Sequence, residues 1–355
     1  MIKYRSLEEI ENYRASPAIS QSLLKHVLRG SKVEYKETLP MILGSLLDCI
    51  LTSPNLTDKI YSPSMAKRPS AKIQEIVDEV LVLAMDEESP DSSFEFWEPN
   101  LLAKAREKEY QARWGDDAII NAITKDALSY WNEKIENKDK TLITQEEWDN
   151  MFVIAGMIKS SSITGRYFIE QPKVDIEFQL PLYWNVDGTP CKGLLDQLII
   201  EHETKTIYIV DFKSSTAGTI QDWFQIARQK AYHFQMAWYY KGVEENYKDL
   251  ISQGYKIECR WVVVPLTGKF NPWIVPCTTS MLEAGKWGHY TFKTILIDNT
   301  EKPPAYKEVS SQRKGWLEAL FIYQDCIAKG YMDFDYMWNE LNGKIGASLA
   351  DDLFF

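Results

Sequence analysis

A chain of 355 residues, 45% hydrophobic and 26% charged, is long enough for one large domain or two modest ones with ample core. Its formal net charge of −11 counts against a wide basic surface that coats nucleic acid, and leaves open a narrow groove that works with the help of cations. The five cysteines (Cys49, Cys191, Cys259, Cys277 and Cys326) lie far apart with no Cys-x-x-Cys pair, which favours reduced, buried thiols over a disulfide framework, a zinc site or an iron–sulfur cluster.

The opening stretch, MIKYRSLEEIENYRASPAIS, has no apolar central region and no cleavage site, so no signal peptide is expected. The longest apolar run, MILGSLLDCIL, is too short to span a bilayer and contains Asp48. A cytoplasmic protein with no membrane partner is the expectation. Residues 16–54 read as two helices. The first, SPAISQSLLKHVLRG, starts at Ser16 and Pro17 and stops at Gly30; the second, LPMILGSLLDCILTSP, closes at Pro54. Residues 55–168 are charged, poor in glycine and largely helical in pattern, apart from a polar loop near DEESPDSS. Lys67, Arg68 and Lys72 form a small basic loop, read either as solvated or as a contact for a nucleic-acid backbone.

The texture changes at about residue 170. VDIEFQLPLYW is strand-like, NVDGTP is a turn, and GLLDQLIIEHETKTIYIVDFKSS reads as a hairpin. A helical run over 219–243 follows, then strand patterns in YKIECRWVVVPL and PWIVPC, a polar linker and a last helix over 314–330. Strands, helix and strand flanked by helices predict an α/β (α+β) core over 169–295. Residues 1–168 form a helical N-terminal region carrying the Asp48 helix, and 296–355 a linker, a helix and a flexible acidic tail.

Within the hairpin, a turn centred between Glu203 and Thr204 with no bulge sets Asp196 opposite Asp211, with Cβ atoms on the order of 5 Å apart. Lys213, two residues further, shares their face. Two unpaired carboxylates among apolar strand residues would cost several kcal/mol in repulsion and lost hydration, on the order of what a buried charge costs. Hard divalent cations such as Mg²⁺ or Mn²⁺ remove that difficulty. The other reading places both aspartates at strand ends near solvent, with Lys213 as a simple ion pair. In ARQKAYHFQMAWYY, Arg228, Tyr232, Gln235 and Tyr239 fall at i, i+4, i+7 and i+11, one helical stripe of a cation, an amide and two phenols. Such a set suits phosphates and bases; a packing helix is the alternative. Trp223, Phe224, Phe234 and Trp238 read as core.

Asp196, then Asp211-x-Lys213, then Gln235-x-x-x-Tyr239 resembles the PD-(D/E)xK nuclease superfamily in its RecB-like branch. The opening helices are similar to those of RecE (exonuclease VIII)-like phage nucleases, with their Ser-x-Ser-x-Leu-Lys start and G-x-x-x-H helix, and DIEFQLPLYWNVDGTPCKGLLDQL resembles the segment leading to their metal-binding Asp. The match covers roughly residues 12–265. The resemblance implies a restriction-endonuclease-like core with a central mixed sheet flanked by helices. It implies metal ligands at Asp196 and Asp211, a catalytic lysine at Lys213, Gln235 and Tyr239 near the active site and DNA, and Glu177 as an extra ligand or water-binding group. Arg228 and Tyr232 are the expected DNA contacts.

Two positions depart from the family. Asp48 stands where it has a histidine, and is read either as a third metal ligand or, with Ser45 and Thr52, as part of a solvated polar stripe. Leu194-Leu195 stands where it has Arg-Pro. The implied activity is degradation of linear double-stranded DNA, 5′ to 3′, with Mg²⁺ or Mn²⁺, two ions, leaving 3′ single strands for phage or prophage recombination. The implied partners are DNA ends, a single-strand annealing protein and further copies in a ring. An endonuclease or repair nuclease, and an inert DNA-binding relative, are the alternatives. The terminal DDLFF resembles the tips of single-strand-binding proteins.

Overall fold

The structure, a computed structural model, describes residues 1–29, 38–86, 89, 91–266, 272–298 and 305–328. The tail expected at the C-terminus, DDLFF included, lies outside them. In chain order the first elements are β1 (Ile2–Lys3), α1 (Leu7–Ala15), α2 (Gln21–Arg29), α3 (Leu39–Thr52), α4 (Thr57–Ile60) and β2 (Tyr61–Ser64). Next come α5 (Ala71–Ala84), α6 (Phe94–Glu107), α7 (Asp116–Glu136), β3 (Thr141–Thr144) and α8 (Gln145–Ser160). The strands β4 (Val174–Val186), β5 (Thr189–Glu201) and β6 (Thr206–Ser215) follow, then α9 (Ile220–Gln229), α10 (Tyr232–Asn246) and α11 (Lys248–Ser252). The remainder is β7 (Lys256–Pro265), β8 (Trp273–Cys277), α12 (Thr279–Trp287), β9 (Gly288–Asp298), β10 (Ala305–Lys314) and α13 (Trp316–Ala328). Residues 305–313, expected as linker, and 314, expected to open the last helix, are thus strand, paired antiparallel with β9.

The chain forms two compact units, Cys49–Ala155 and the remainder. The smaller unit has its own core. Ile73, Ile76, Val77 and Val80 of α5 recur at helical spacing and pack with Phe94, Trp97 and Leu101 of α6 and Ile119, Ile123 and Trp131 of α7. Of the basic loop, Arg68 makes a bidentate pair with Glu147, at 3.0 and 2.9 Å.

The larger unit is built on a mixed six-stranded sheet in the order β1-β4-β5-β6-β7-β8, parallel at β1/β4 and β6/β7 and antiparallel elsewhere. The β4–β5 turn is Asp187-Gly188, both at positive φ (48° and 83°), the conformation that a two-residue hairpin requires and that Asp-Gly supplies at low cost. The β5–β6 register is as expected, from Gln197 opposite Val210 to Glu201 opposite Thr206. One face of this sheet carries Leu198, Ile207, Ile209, Cys259, Trp261 and Val263, and on it lies α10, buried through Phe234, Met236, Trp238 and Val243. Among the described residues, Cys49, Cys191, Cys259 and Cys277 are buried and form no disulfide. Among the described residues no single helix is long and apolar enough to cross a membrane.

The helical run expected over 219–243 is two helices. Ala231 sits in the left-handed region at φ 50° and ends α9 from α10, and the Lys230 carbonyl at the break accepts the Lys25 ammonium at 3.1 Å. No glycine or proline marks this break. Phe224, expected in the core, is 40% exposed, whereas Trp223, Phe234 and Trp238 are buried.

Gly242 lets α10 meet β4. A Cβ there would stand 2.7 Å from the Trp184 ring, which packs against Trp238 at a centroid distance of 4.9 Å. Gly242→Val is expected to lower stability by about 1–3 kcal/mol, the usual cost of overpacking. Thermal unfolding measures this; an unchanged midpoint would mean that the indole has room to move.

Candidate active site

Four charged side chains from three elements meet on the α10-covered face of the larger unit. Asp211 and Lys213 alternate along β6, with the Lys213 ammonium 2.5 Å from Asp211 Oδ2. The β5–β6 ladder stops one step short of Asp196 and Asp211. There the Asp196 carboxylate takes over from the backbone, its Oδ2 accepting the Phe212 N–H at 2.8 Å. Asp48 arrives on α3, where its Oδ2 accepts from Gln179 Nε2 at 3.4 Å. One turn earlier, Gly44 allows this approach: a Cβ there would fall 2.5 Å from the hydroxyl of Ser214, the residue after Lys213. From α10, Gln235 Nε2 donates to the Tyr239 hydroxyl at 2.9 Å, and the Tyr232 ring centroid lies 5.0 Å from Lys213 Nζ.

Asp211 is 1% exposed, so the reading of solvated strand-end charges does not hold for it. Burial pushes the Asp48 carboxyl up to about 7, with Lys213 opposing and Asp211 adding to the shift. Burial likewise holds Asp196 well above the usual carboxylate range, reinforced by Asp211 and Asp48. Asp48, half-buried, shares the field of the other three groups. For Lys213 burial works downward, but Asp211 and Asp196 outweigh it and keep the ammonium protonated. The Tyr239 hydroxyl is likewise kept protonated, by burial and by the nearby Asp196 and Asp211.

Two expected members stand apart. Glu177 pairs with Arg5 and lies 4.0 Å from Lys3, and it is not among the groups acting on Asp48, Asp196 or Lys213. Arg228, on α9, is separated by the Ala231 break from the line of Tyr232, Gln235 and Tyr239, so the stripe of four is not continuous. Gln179 was not anticipated. At φ 47° it interrupts the β4–β5 ladder between Phe178–Gln197 and Leu180–Leu195, directly across from Asp196. A non-glycine residue in the left-handed region inside a strand is costly, and such strain concentrates at functional sites. Lys192 was also missed. Its buried ammonium donates to the carbonyls of Tyr13 (2.8 Å) and Ser16 (2.7 Å), closing the C-terminal end of α1.

A cleft of about 400 Å³ opens at Asp196 and Tyr239, bordered by Arg14, Ser20 and Ser22 at the start of α2. A larger cavity of about 790 Å³ lies among α10, β7, β8 and α12, and four of its charged residues are matched in pairs, Lys241 with Glu244 and Arg260 with Glu258. Size alone does not mark the site; three carboxylates gathered around one buried ammonium do.

As a cation site the cluster fits in donor chemistry. Its atoms are hard carboxylate oxygens, and Asp211 Oδ1 is buried with no hydrogen-bonding partner. Among the described residues no three such side chains stand in a ready-made ligand arrangement, and the Lys213 ammonium supplies the positive charge at Asp211.

No family model and no curated protein matches the sequence. Among solved structures, the chain is similar to the crystal structure of a "Putative exonuclease" from Eubacterium rectale, at 16% identity and a TM-score of 0.29, over 51% of this chain and 67% of that one. At that degree of overlap, the chemistry of the site rests on its own geometry.

Proposed function

We propose that the protein is a metal-dependent deoxyribonuclease of the PD-(D/E)xK type, RecE-like, which degrades linear double-stranded DNA from its ends, 5′ to 3′. The observation that carries this reading is the meeting of Asp48, Asp196 and Asp211 with Lys213 on one sheet face. Asp196 and Asp211, with Asp48 as a third, would hold Mg²⁺ or Mn²⁺, two ions. Such ions, when bound, polarise the scissile phosphate and lower the pKa of water.

The chain's own groups do the rest. Lys213 stays protonated, so it serves as a donor to a phosphate oxygen and not as a base. Gln235 orients the Tyr239 hydroxyl, a neutral donor beside Asp196. Arg14 and the start of α2 offer the DNA backbone a cation and the positive end of a helix at the mouth of the cleft. The 3′ single strands left behind would pass to an annealing protein in phage or prophage recombination, and a ring of copies would supply processivity.

The test is digestion of 5′-labelled linear duplex beside closed circular DNA, with Mg²⁺ or Mn²⁺, for wild type and Lys213→Ala. Loss of linear DNA only, slowed about 10²–10³-fold or more by the substitution, is the expected result. Cutting of circles would indicate an endonuclease. Absence of cleavage with either metal would leave an inert DNA-binding protein.

A further inference from the structure

The floor of the cleft, Asp196 and Tyr239, belongs to β5 and α10, whereas its wall, Tyr13, Arg14, Ser20 and Ser22, comes from the end of α1 and the start of α2, far earlier in the chain. The joint between floor and wall is concentrated in one residue. Lys192 stands on β5 four positions before Asp196, on the same side of the strand, and borders the same cleft.

Each polar group of Lys192 is spent on an element that forms the cleft. Its backbone N–H donates to the Ile19 carbonyl at 2.7 Å, and the Ile19 N–H donates in turn to the Pro190 carbonyl at 2.9 Å. The link between α1 and α2 therefore lies along the start of β5. The Lys192 carbonyl accepts the Trp238 indole N–H at 2.9 Å, one residue before Tyr239 on α10. Its ammonium donates to the carbonyls of Tyr13, Arg14 and Ser16, at 2.8, 3.3 and 2.7 Å, and lies 4.8 Å from the centroid of the Tyr13 ring. At the next residue, Gly193, a Cβ would stand 3.2 Å from the Tyr239 ring and 3.3 Å from Trp184, so β5 and α10 meet closely here.

A lysine beside a cleft for DNA invites comparison with a phosphate contact, and the geometry speaks against it. An ammonium has three protons, and three carbonyls take them. Lys192 is moreover 8% exposed. Carbonyls at the end of a helix carry partial negative charge, which a buried cation offsets and an apolar side chain does not.

We propose that Lys192 is a positioning residue: it sets the wall formed by Tyr13, Arg14 and the start of α2 against Asp196 and Tyr239, and so governs how tightly the DNA strand is held, not how fast its phosphate is cut. Arg14 meets the substrate; Lys192 acts through it. The inference rests on the nuclease reading for its ligand, and adds to that reading the residue that shapes the binding half of the site.

Lys192→Met keeps the apolar stem and removes the ammonium. With linear duplex and Mg²⁺ it is expected to raise KM about ten-fold or more while kcat stays within about two-fold, the pattern of lost binding that ground state and transition state share. Lys192→Arg, which retains a charge and several donors, is expected to recover part of the loss. In the metal-free protein, amide hydrogen exchange over residues 13–20 is expected to quicken about ten-fold or more in Lys192→Met, with β6 and β7 unchanged. Lys192→Gln, which keeps two donors without the charge, covers the case in which the methionine variant does not fold, and is expected to raise KM several-fold. A fall in kcat at unchanged KM, unchanged kinetics or exchange in a folded variant, or a KM that arginine leaves as high as methionine does overturns the proposal. So does failure of both neutral variants to fold, which would make Lys192 a support of the fold as a whole. Wild type that cuts no DNA would end the nuclease reading alone. Duplex binding to the metal-free protein then decides the positioning role: a loss of about ten-fold in Lys192→Met upholds it, and unchanged binding, or none in wild type, overturns it.

Discussion

Replacing Asp196 with asparagine is expected to abolish metal-dependent cleavage while making the metal-free protein more resistant to heat. The asparagine side chain keeps an oxygen to accept the Phe212 N–H, so the local hydrogen bond at 2.8 Å survives. What disappears is one of three carboxylates crowded around a single ammonium. Burial, Asp211 and Asp48 all disfavour the ionised form of Asp196, and each pKa unit of such a shift corresponds to about 1.4 kcal/mol of strain in the charged state. Relief of that strain should raise stability by about 1 kcal/mol or more at neutral pH. Activity should fall by about 10³-fold, the order lost when a group acting on transition-state charge is removed. Calorimetry in a chelator and a nuclease assay with Mg²⁺ measure the two effects. A lower unfolding temperature would mean that Asp196 is a structural acceptor instead of a ligand.

The second large effect is the dependence of stability on pH and metal. Without divalent ions, stability should fall as the pH rises from about 4 to about 7. Asp48 ionises near 3.8 in the unfolded chain and near 7 in the folded protein. Between those values the folded state holds the proton that the unfolded state has lost, so raising the pH favours unfolding by up to about 1.4 kcal/mol per unit. Asp196, shifted in the same direction, adds to the slope. Lys213 does not contribute in this window, because its raised pKa alters stability only above its ordinary value of 10.5. A divalent cation bound to the ionised carboxylates reverses the trend: at a hundred-fold excess over its dissociation constant it adds about 2.7 kcal/mol, and more at pH 8 than at pH 5. Unfolding midpoints from pH 4.5 to 8, with chelator or with Mn²⁺, test this, and Asp48→Asn should flatten the chelator series. Metal-free stability that instead climbs with pH would mean that all three carboxylates are ionised and satisfied by Lys213.

Local chemistry explains what was legible in the chain. The facing of Asp196 and Asp211 follows from hairpin register, and register is set by a short turn and a period of two, both visible in consecutive residues. The Asp187-Gly188 turn and the Gly44-x-x-x-Asp48 helix are local in the same sense. The α10 pair of Gln235 and Tyr239 is one helical turn apart and needed no tertiary information to be placed together.

The rest depends on contacts between distant segments. Whether Asp48 points to solvent or to Lys213 is decided by how closely α3 meets β6 at Gly44 and Ser214, and no pattern within one helix encodes that distance. The break at Ala231 carries no glycine or proline signal; the Lys25 ammonium on its Lys230 carbonyl comes from α2. Glu177 reads as a ligand from its place on the first long strand, yet Arg5, from the start of the chain, claims it. Trp261 and His289 line one cavity only because β7 and the start of β9 are brought together around it. Which acid, which turn and which face were written into neighbouring residues. Which charges are buried, and beside what, only the tertiary fold decides, because desolvation and Coulomb energies depend on distance in space.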